Sequence, residues 1–266
     1  MTSAFLAGLD RAYCRYVDSF RDGEGGLQAM LQLKLEHTRR VVSDAKLIME
    51  GEGFFSPERQ LVGEACALLH DAGRYSQFTE FQTFQDARSV DHAQRGVEVI
   101  RREGWLDALP GSERELILDA VLYHNKKELP ETLPRETLPF AQLTRDADKM
   151  DIFRLFEMKV GDGELKKHPE IAWGLPLYAP PSERVSKAVC SGQPVDYRWI
   201  ESLADFVLIQ VGWLGSGLYF GTSLRLAGER GVLDHRRDFL KEFCDPSEIE
   251  RICACVQERV DRRLGE

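Results

Sequence analysis

Four histidines and two aspartates carry ligand chemistry in a fixed order along this chain: His37, the adjacent pair His70 and Asp71, His92, His124 and Asp148. Imidazole nitrogen and carboxylate oxygen are the donors that borderline divalent cations accept, and no cysteine belongs to the series. A single histidine on an apolar helix face is ordinarily a satisfied core residue. Four of them beside a His-Asp doublet point instead to a metal centre, in which the doublet holds one ion or the aspartate bridges two. Arg74, Lys126, Lys127, Arg145 and Lys149 lie close to these residues in the chain, and such cations suit the oxygens of a phosphoryl group.

The elements that must position these side chains read as helical almost throughout. Leu31, Leu35, Thr38, Val42, Ala45 and Met49 alternate by four and three, the stripe of an amphipathic helix, with His37 at its flank. Ser56 and Pro57 form a helix start, and the nearly continuous apolar run from Leu61 to Leu69 predicts a central helix that delivers His70 and Asp71 and stops at Gly73. Further helices are expected from His92 to Arg102, from just after Ser112 to His124, and from Phe140 to Val160. His124 follows Ile117, Ala120 and Val121 at helical spacing and so sits on an apolar face. A proline-punctuated loop, Leu129 to Pro139, precedes the last of these helices. Past Gly161 the segment HPEIAWGLPLYAPP reads as irregular, followed by helical segments near 182–190, 197–228 and 246–264. No strand period of any length occurs. The expected fold is all-α, with a metal-binding helical domain over 1–160 and a helical extension over 161–266.

Composition bounds the function. With 266 residues and a net charge of −9, the chain lacks the broad cationic face of a nucleic-acid scaffold, while a small phosphorylated substrate needs only local cations. The segment MTSAFLAGLDRAYCRY has neither the basic start nor the sustained apolar run of a secretory signal. The six cysteines show no paired framework spacing and are read as reduced thiols in a cytoplasm. Cys253 and Cys255 have no second such pair and are assigned to helix packing rather than to zinc. Nineteen residues from Phe206 to Leu224 carry no charge, but their four glycines and polar Gln210, Ser216, Thr222 and Ser223 favour buried or closely paired helices over a membrane span.

The ordered series resembles the HD-domain superfamily of metal-dependent phosphohydrolases, named for the doublet seen here as LLHDAGR. The resemblance covers about residues 30–160. In that family the first histidine lies on an early helix and the last aspartate in a segment like A-D-[KR]-[LM]; here that segment is RDADKMD, residues 145–151, which places the ligand at Asp148 rather than Asp146 or Asp151. His92 in SVDHAQRG and His124 in YHNKK are similar to the extra histidines of the branch that holds two metals, with Asp91 as the alternative to His92. The chain departs from many members by having Arg74 where they have lysine, and it has no Gly-Tyr-Pro segment, unlike the branch that hydrolyses cyclic di-guanylate.

The resemblance implies a phosphohydrolase with one or two divalent ions, of a kind (manganese, iron, cobalt, nickel, zinc or magnesium) that these ligands do not select. Asp71 is then both ligand and orienter of the attacking water. Arg74 and Lys149 join it as catalytic cations, and Lys126, Lys127 and Arg145 complete a substrate-binding set. In nucleotide-cleaving relatives a lysine at the position of Lys149 contacts phosphate. Two other functions fit the same ligands: a di-iron oxygenase that cleaves carbon–carbon or carbon–phosphorus bonds, and a non-catalytic ligand sensor. The aromatic segment 75–89 is expected to pack on the core, with a lid over the metals as the alternative.

Overall fold

A computed structural model describes residues 1–161, 175–176 and 178–265. Among them there is no β-strand, and the fold is all-α. Two compact units are present, residues 1–151 and residues 152–266. The irregular segment expected at 168–181 lies mostly outside the described residues. No helix among the described residues is long and apolar enough to cross a membrane.

The first unit is built from α1 (Ser3–Asp18), α2 (Ala29–Glu52), α3 (Pro57–Leu69), α4 (Gly73–Phe81), α5 (His92–Arg102), α6 (Gly111–Tyr123) and the start of α7 (Leu138–Gly161). A single 3-10 turn, Asp86–Arg88, stands between α4 and α5. Ser56 caps α3 by accepting from the Arg59 amide at 3.4 Å, and Pro57 occupies the first turn, where its missing N–H leaves nothing unpaired. From Val62 to Leu69 every residue but Glu64 is buried. Each large apolar side chain there contributes roughly 1.5–3 kcal/mol on leaving water, which explains why α3 lies at the centre, packed against α1, α2 and α6. Tyr13 of α1 reaches the same interior. Its hydroxyl donates to Thr38 Oγ1 at 3.2 Å and lies 2.9 Å from the Tyr75 hydroxyl.

Gly73 has a different role from the one its position suggests. The α3 helix ends at Leu69 with His70 as its C-cap in right-handed conformation, and Gly73 opens α4 with no positive φ. A Cβ at Gly73 would lie 2.3 Å from the His92 carbonyl oxygen and 2.6 Å from the Gly96 amide nitrogen. The glycine therefore permits backbone-to-backbone contact between α4 and α5, which sets the His-Asp doublet beside His92.

The second unit contains α8 (Glu183–Ser191), α9 (Leu203–Gly212), α10 (Gly221–Glu229), α11 (Val232–Lys241) and α12 (Pro246–Gly265). The uncharged stretch from Phe206 is not one continuous helix. It runs through α9 into a π-turn at Trp213–Gly217, leaves helical geometry at Leu218 and re-enters it at Gly221. The α11 helix was not legible in the sequence. Its buried face is Val232, Arg236, Phe239 and Leu240, so a charged residue interrupts the apolar period. Arg236 is fully buried. It donates to Gln210 Oε1 at 3.1 and 2.9 Å and to the Phe153 carbonyl at 3.0 Å, pairs with Glu157, and stacks on Phe153 and Phe156.

Candidate metal centre

Helix ends carry most of the site. His70 is the C-cap of α3 and His124 the C-cap of α6. Both turn back in the same way: His70 Nδ1 donates to the Ala67 carbonyl at 2.7 Å and His124 Nδ1 to the Val121 carbonyl at 2.6 Å, three residues earlier in each case. Each bond satisfies a carbonyl that the helix end would leave open. Two helix C-termini, each equivalent to about half a negative charge, thus approach the same point. His37 projects from α2, His92 from the first turn of α5, and Asp148 from α7.

The carboxylate of Asp71 stands between two sets of ligand atoms. Its Oδ2 is 3.5 Å from His37 Nε2 and 3.6 Å from His70 Nε2; its Oδ1 is 3.5 Å from His92 Nε2 and 3.8 Å from His124 Nε2. Asp148 Oδ1 closes the first set, 3.2 Å from His37 Nε2 and 3.9 Å from His70 Nε2. The groups His37, His70, Asp148 and Asp71, His92, His124 each bring one donor atom per residue within 4.8 Å of one another.

All four rings have the outer nitrogen committed. Besides the two carbonyl bonds, His37 Nδ1 lies 2.7 Å from Asp151 Oδ2 and His92 Nδ1 lies 2.6 Å from Asp86 Oδ2. With Nδ1 donating to these acceptors, the Nε2 atoms of His70, His92 and His124 present lone pairs inward, while His37 Nε2 also lies 3.2 Å from Asp148 Oδ1. The Nε2 atoms of His37 and His70 are 3.2 Å apart and those of His92 and His124 are 3.0 Å apart. Two nitrogens bound at right angles, each about 2.1 Å from one ion, lie about 3.0 Å apart. Each donor group could therefore hold one divalent cation, with an Asp71 oxygen beside both groups.

Electrostatics agree with this fit. Burial pulls His70 and His92 below the ordinary histidine range and takes His124, with help from His92 and His70, down to about 3. His37 is the exception: burial and Lys34 pull it down, but the carboxylates of Asp148 and Asp151 outweigh them. Burial would raise Asp71, yet Lys34, His70, Arg74 and His92 hold it well below the carboxylate range. Asp148 is likewise low, because hydrogen bonding and charge from His37 overcome burial.

The six residues expected as ligands thus converge. The expected cations are placed less uniformly. Arg74 Nε is 3.4 Å from Asp71 Oδ1, while its Nη1 donates to Gln77 Oε1, the Phe84 carbonyl and Asp86 Oδ1 at 2.9, 2.6 and 3.0 Å. Lys149 is buried, donates to the Arg145 carbonyl at 3.3 Å, and has its pKa lowered to about 8 by burial and by Arg145. Arg145 forks onto the carbonyls of Tyr123, His124, Lys126 and Lys127, so it braces the turn that follows α6. Lys126 pairs with Asp91, and Lys127 is exposed.

Asp91, the alternative to His92, caps α5 by accepting from the amides of Ala93 and Gln94 at 3.0 and 3.2 Å. Asp86, Asp91 and His92 form a third close group, which Asn125 knits together by donating to Asp86 Oδ2 at 3.2 Å and Asp91 Oδ1 at 3.0 Å.

Three side chains at the centre were not anticipated in these roles. Lys34 donates to Asp71 Oδ2 at 2.8 Å and lies 5.3 Å from the Phe84 ring centroid. Its only sequence signal is a place one helical turn before His37. Asp151, one turn after Asp148, holds His37 and is gripped by Arg40 Nε and Nη2 at 2.6 and 3.1 Å. Asp86 had no signal at all. The aromatic segment divides in function: Tyr75 is buried in the core, whereas Phe84 covers Lys34 and Arg74.

No curated protein and no solved structure matches the chain significantly. The family model of the HD domain does match, over residues 35–152, a span that includes every residue of the three ligand groups. By this match, residues 35–152 are similar to an HD domain, and the paired clusters around the His70–Asp71 doublet lie within that span.

Proposed function

We propose that the chain is a metal-dependent phosphohydrolase that cleaves a nucleotide or another small phosphate ester with a metal-activated water. The observation that supports this best is the Asp71 carboxylate, which offers one oxygen to each of two pairs of inward-facing imidazole nitrogens. His37, His70 and Asp148 would hold one divalent ion, His92 and His124 the other, and Asp71 would bridge them. Such ions supply Lewis acidity and bring the pKa of water near 7.

The remaining work falls to the protein. Asp86, Asp151 and the carbonyls of Ala67 and Val121 fix the rings, so ligand geometry need not reorganise during the reaction. Asp71 orients the attacking water. Lys34, Arg74 and Lys149 place positive charge where phosphoryl oxygens gain negative charge. Lys34 could turn from Asp71 to a substrate oxygen, whereas Arg74 is held in addition by Gln77, the Phe84 carbonyl and Asp86.

Elemental analysis of the purified protein, followed by a panel of phosphate esters assayed with the metal found, tests this reading. Phosphate release by the wild type, lost together with bound metal in His70→Ala and Asp71→Ala, is the expected result. Full metal content and full activity in either variant would overturn it.

A further inference from the structure

In the unit of residues 152–266, two cysteines far apart in sequence meet on facing helices. Cys190 lies in the last turn of α8 and Cys255 in the middle of α12, and these helices pack together. Arg251, Cys255 and Arg259 follow one another at intervals of four, so they form one stripe along α12. Both arginines of that stripe touch residue 190. Arg251 Nη1 lies 3.4 Å from Cys190 Sγ, and the Arg259 guanidinium donates to the carbonyls of Cys190 and Val189, capping the end of α8. Cys255 lies between them on the stripe, which places the two thiols side by side on facing helices.

Accessibility separates this pair from most other cysteines of the chain. Cys66, Cys244 and Cys253 are buried, whereas Cys190 and Cys255 are both partly exposed. Cys14 is also partly exposed and has Arg39 Nη2 2.9 Å from its sulfur, but it belongs to the other unit. The pair thus combines a sulfur partner, solvent access and a nearby cation, three features that favour selective oxidation of a thiol.

We propose that Cys190 and Cys255 form an oxidisable dithiol, a modification site that a peroxide converts into a disulfide joining α8 to α12. The Cys190 thiolate, beside Arg251, attacks one oxygen of the peroxide. The O–O bond breaks, an S–O bond forms, and the other oxygen leaves as water or alcohol after taking a proton. Cys255 then attacks the sulfenic sulfur, an S–S bond forms, and the sulfenic oxygen leaves as water. Two thiols lose two electrons and the peroxide gains them. Burial and the neighbouring Cys255 push the Cys190 thiol up, against the pull of Arg251, so the thiolate fraction and the rate of the first step should rise with pH. None of its residues belongs to the candidate metal centre.

The full chain treated with hydrogen peroxide and analysed by intact mass and peptide mapping tests the proposal. The expected result is a loss of about 2 Da, a single internal cross-link between residues 190 and 255, and full reversal by a thiol reductant. Cys190→Ser and Cys255→Ser should each abolish the cross-link, and Cys14→Ser should retain it. Dibromobimane, which fluoresces on bridging two thiols, probes the unoxidised protein and needs no oxidant. Its signal should fall to background in either single variant of the pair. Gain of oxygen without cross-linking in the wild type, a cross-link that survives Cys255→Ser, or bimane fluorescence equal in wild type and Cys190→Ser would each overturn the proposal.

Discussion

The Nε2 atoms of His92 and His124 face each other at 3.0 Å, while their Nδ1 atoms are engaged by Asp86 Oδ2 and the Val121 carbonyl. Because both outer nitrogens carry the proton, neither inner nitrogen can donate to the other. Two lone pairs held this close, at the negative end of α6 and beside an Asp71 carboxylate, repel one another until a cation sits between them.

Metal should therefore stabilise the fold measurably. A divalent ion at a hundred times its Kd contributes about 2.7 kcal/mol by mass action. Thermal melts with metal and with chelator should differ for the wild type and coincide for Asp71→Ala, which lacks the carboxylate shared by both donor groups. An equal metal-induced shift in that variant would place binding elsewhere.

The outer carboxylates offer a finer test. Asp86 touches His92 only through Nδ1, so Asp86→Ala should leave the ligand in place but free its ring to turn. Loss of such a partner typically weakens metal affinity about 10- to 100-fold. Competition with a chromophoric chelator would measure it, and an affinity unchanged within error would deny Asp86 this role.

How much of this was legible in the sequence depends on what each residue answers to. The ligand series could be read because His70 and Asp71 end an apolar run and His124 follows Ile117, Ala120 and Val121, all patterns local to one helix. The helices α2, α3 and α5 were legible for the same reason. Asp86 and Lys34 were not, because nothing local distinguishes a carboxylate that holds an imidazole from one that faces water. Gly73 was misread as a stop signal, since its neighbours in space, His92 and Gly96, lie some twenty residues away in sequence. The α11 helix escaped because its most buried position is Arg236, whose partners Gln210 and Glu157 come from other helices.

Lys34 separates charge from coordination. It contacts Asp71 without belonging to either donor set, so Lys34→Ala should keep its metal and lose substrate attraction. The loss expected for one charge-assisted contact is roughly 1.5–3 kcal/mol in kcat/KM. Lys149→Ala should behave similarly if that buried cation also meets phosphate. Unchanged kcat/KM for every ester that the wild type cleaves would remove the lysine in question from the substrate-binding set.

Alkaline stability reports on the Tyr13–Tyr75 pair. Burial pushes Tyr13 up to about 12 from an ordinary value of 10.0, against the opposing hydrogen bonds from Thr38 and Tyr75. The folded value lies above the unfolded one, so this contribution is complete below pH 10 and is lost as pH rises toward 12. By linkage it amounts to about 3 kcal/mol in all. Urea unfolding midpoints should fall more steeply above pH 10 in the wild type than in Tyr13→Phe. Parallel curves would mean that the tyrosine does not control this limb.

The last prediction distinguishes two chemistries that the same ligands support. A hydrolase needs only water, so phosphate release should proceed at the same rate without dioxygen, provided the metal keeps its oxidation state. It should also proceed with manganese, which supplies Lewis acidity without a redox step. An oxygenase on this scaffold would need reduced iron and would consume dioxygen in proportion to product. The hydrolytic outcome is expected because Lys34 and Arg74 contact the Asp71 carboxylate at opposite oxygens, 2.8 Å from Oδ2 and 3.4 Å from Oδ1, and so bring positive charge to both donor groups, where an oxyanion would bind. Activity that disappears under anaerobic conditions, returns with air and is lost when manganese replaces iron would overturn the proposed reaction. The HD fold and the convergence of the ligand atoms around Asp71 do not depend on that outcome.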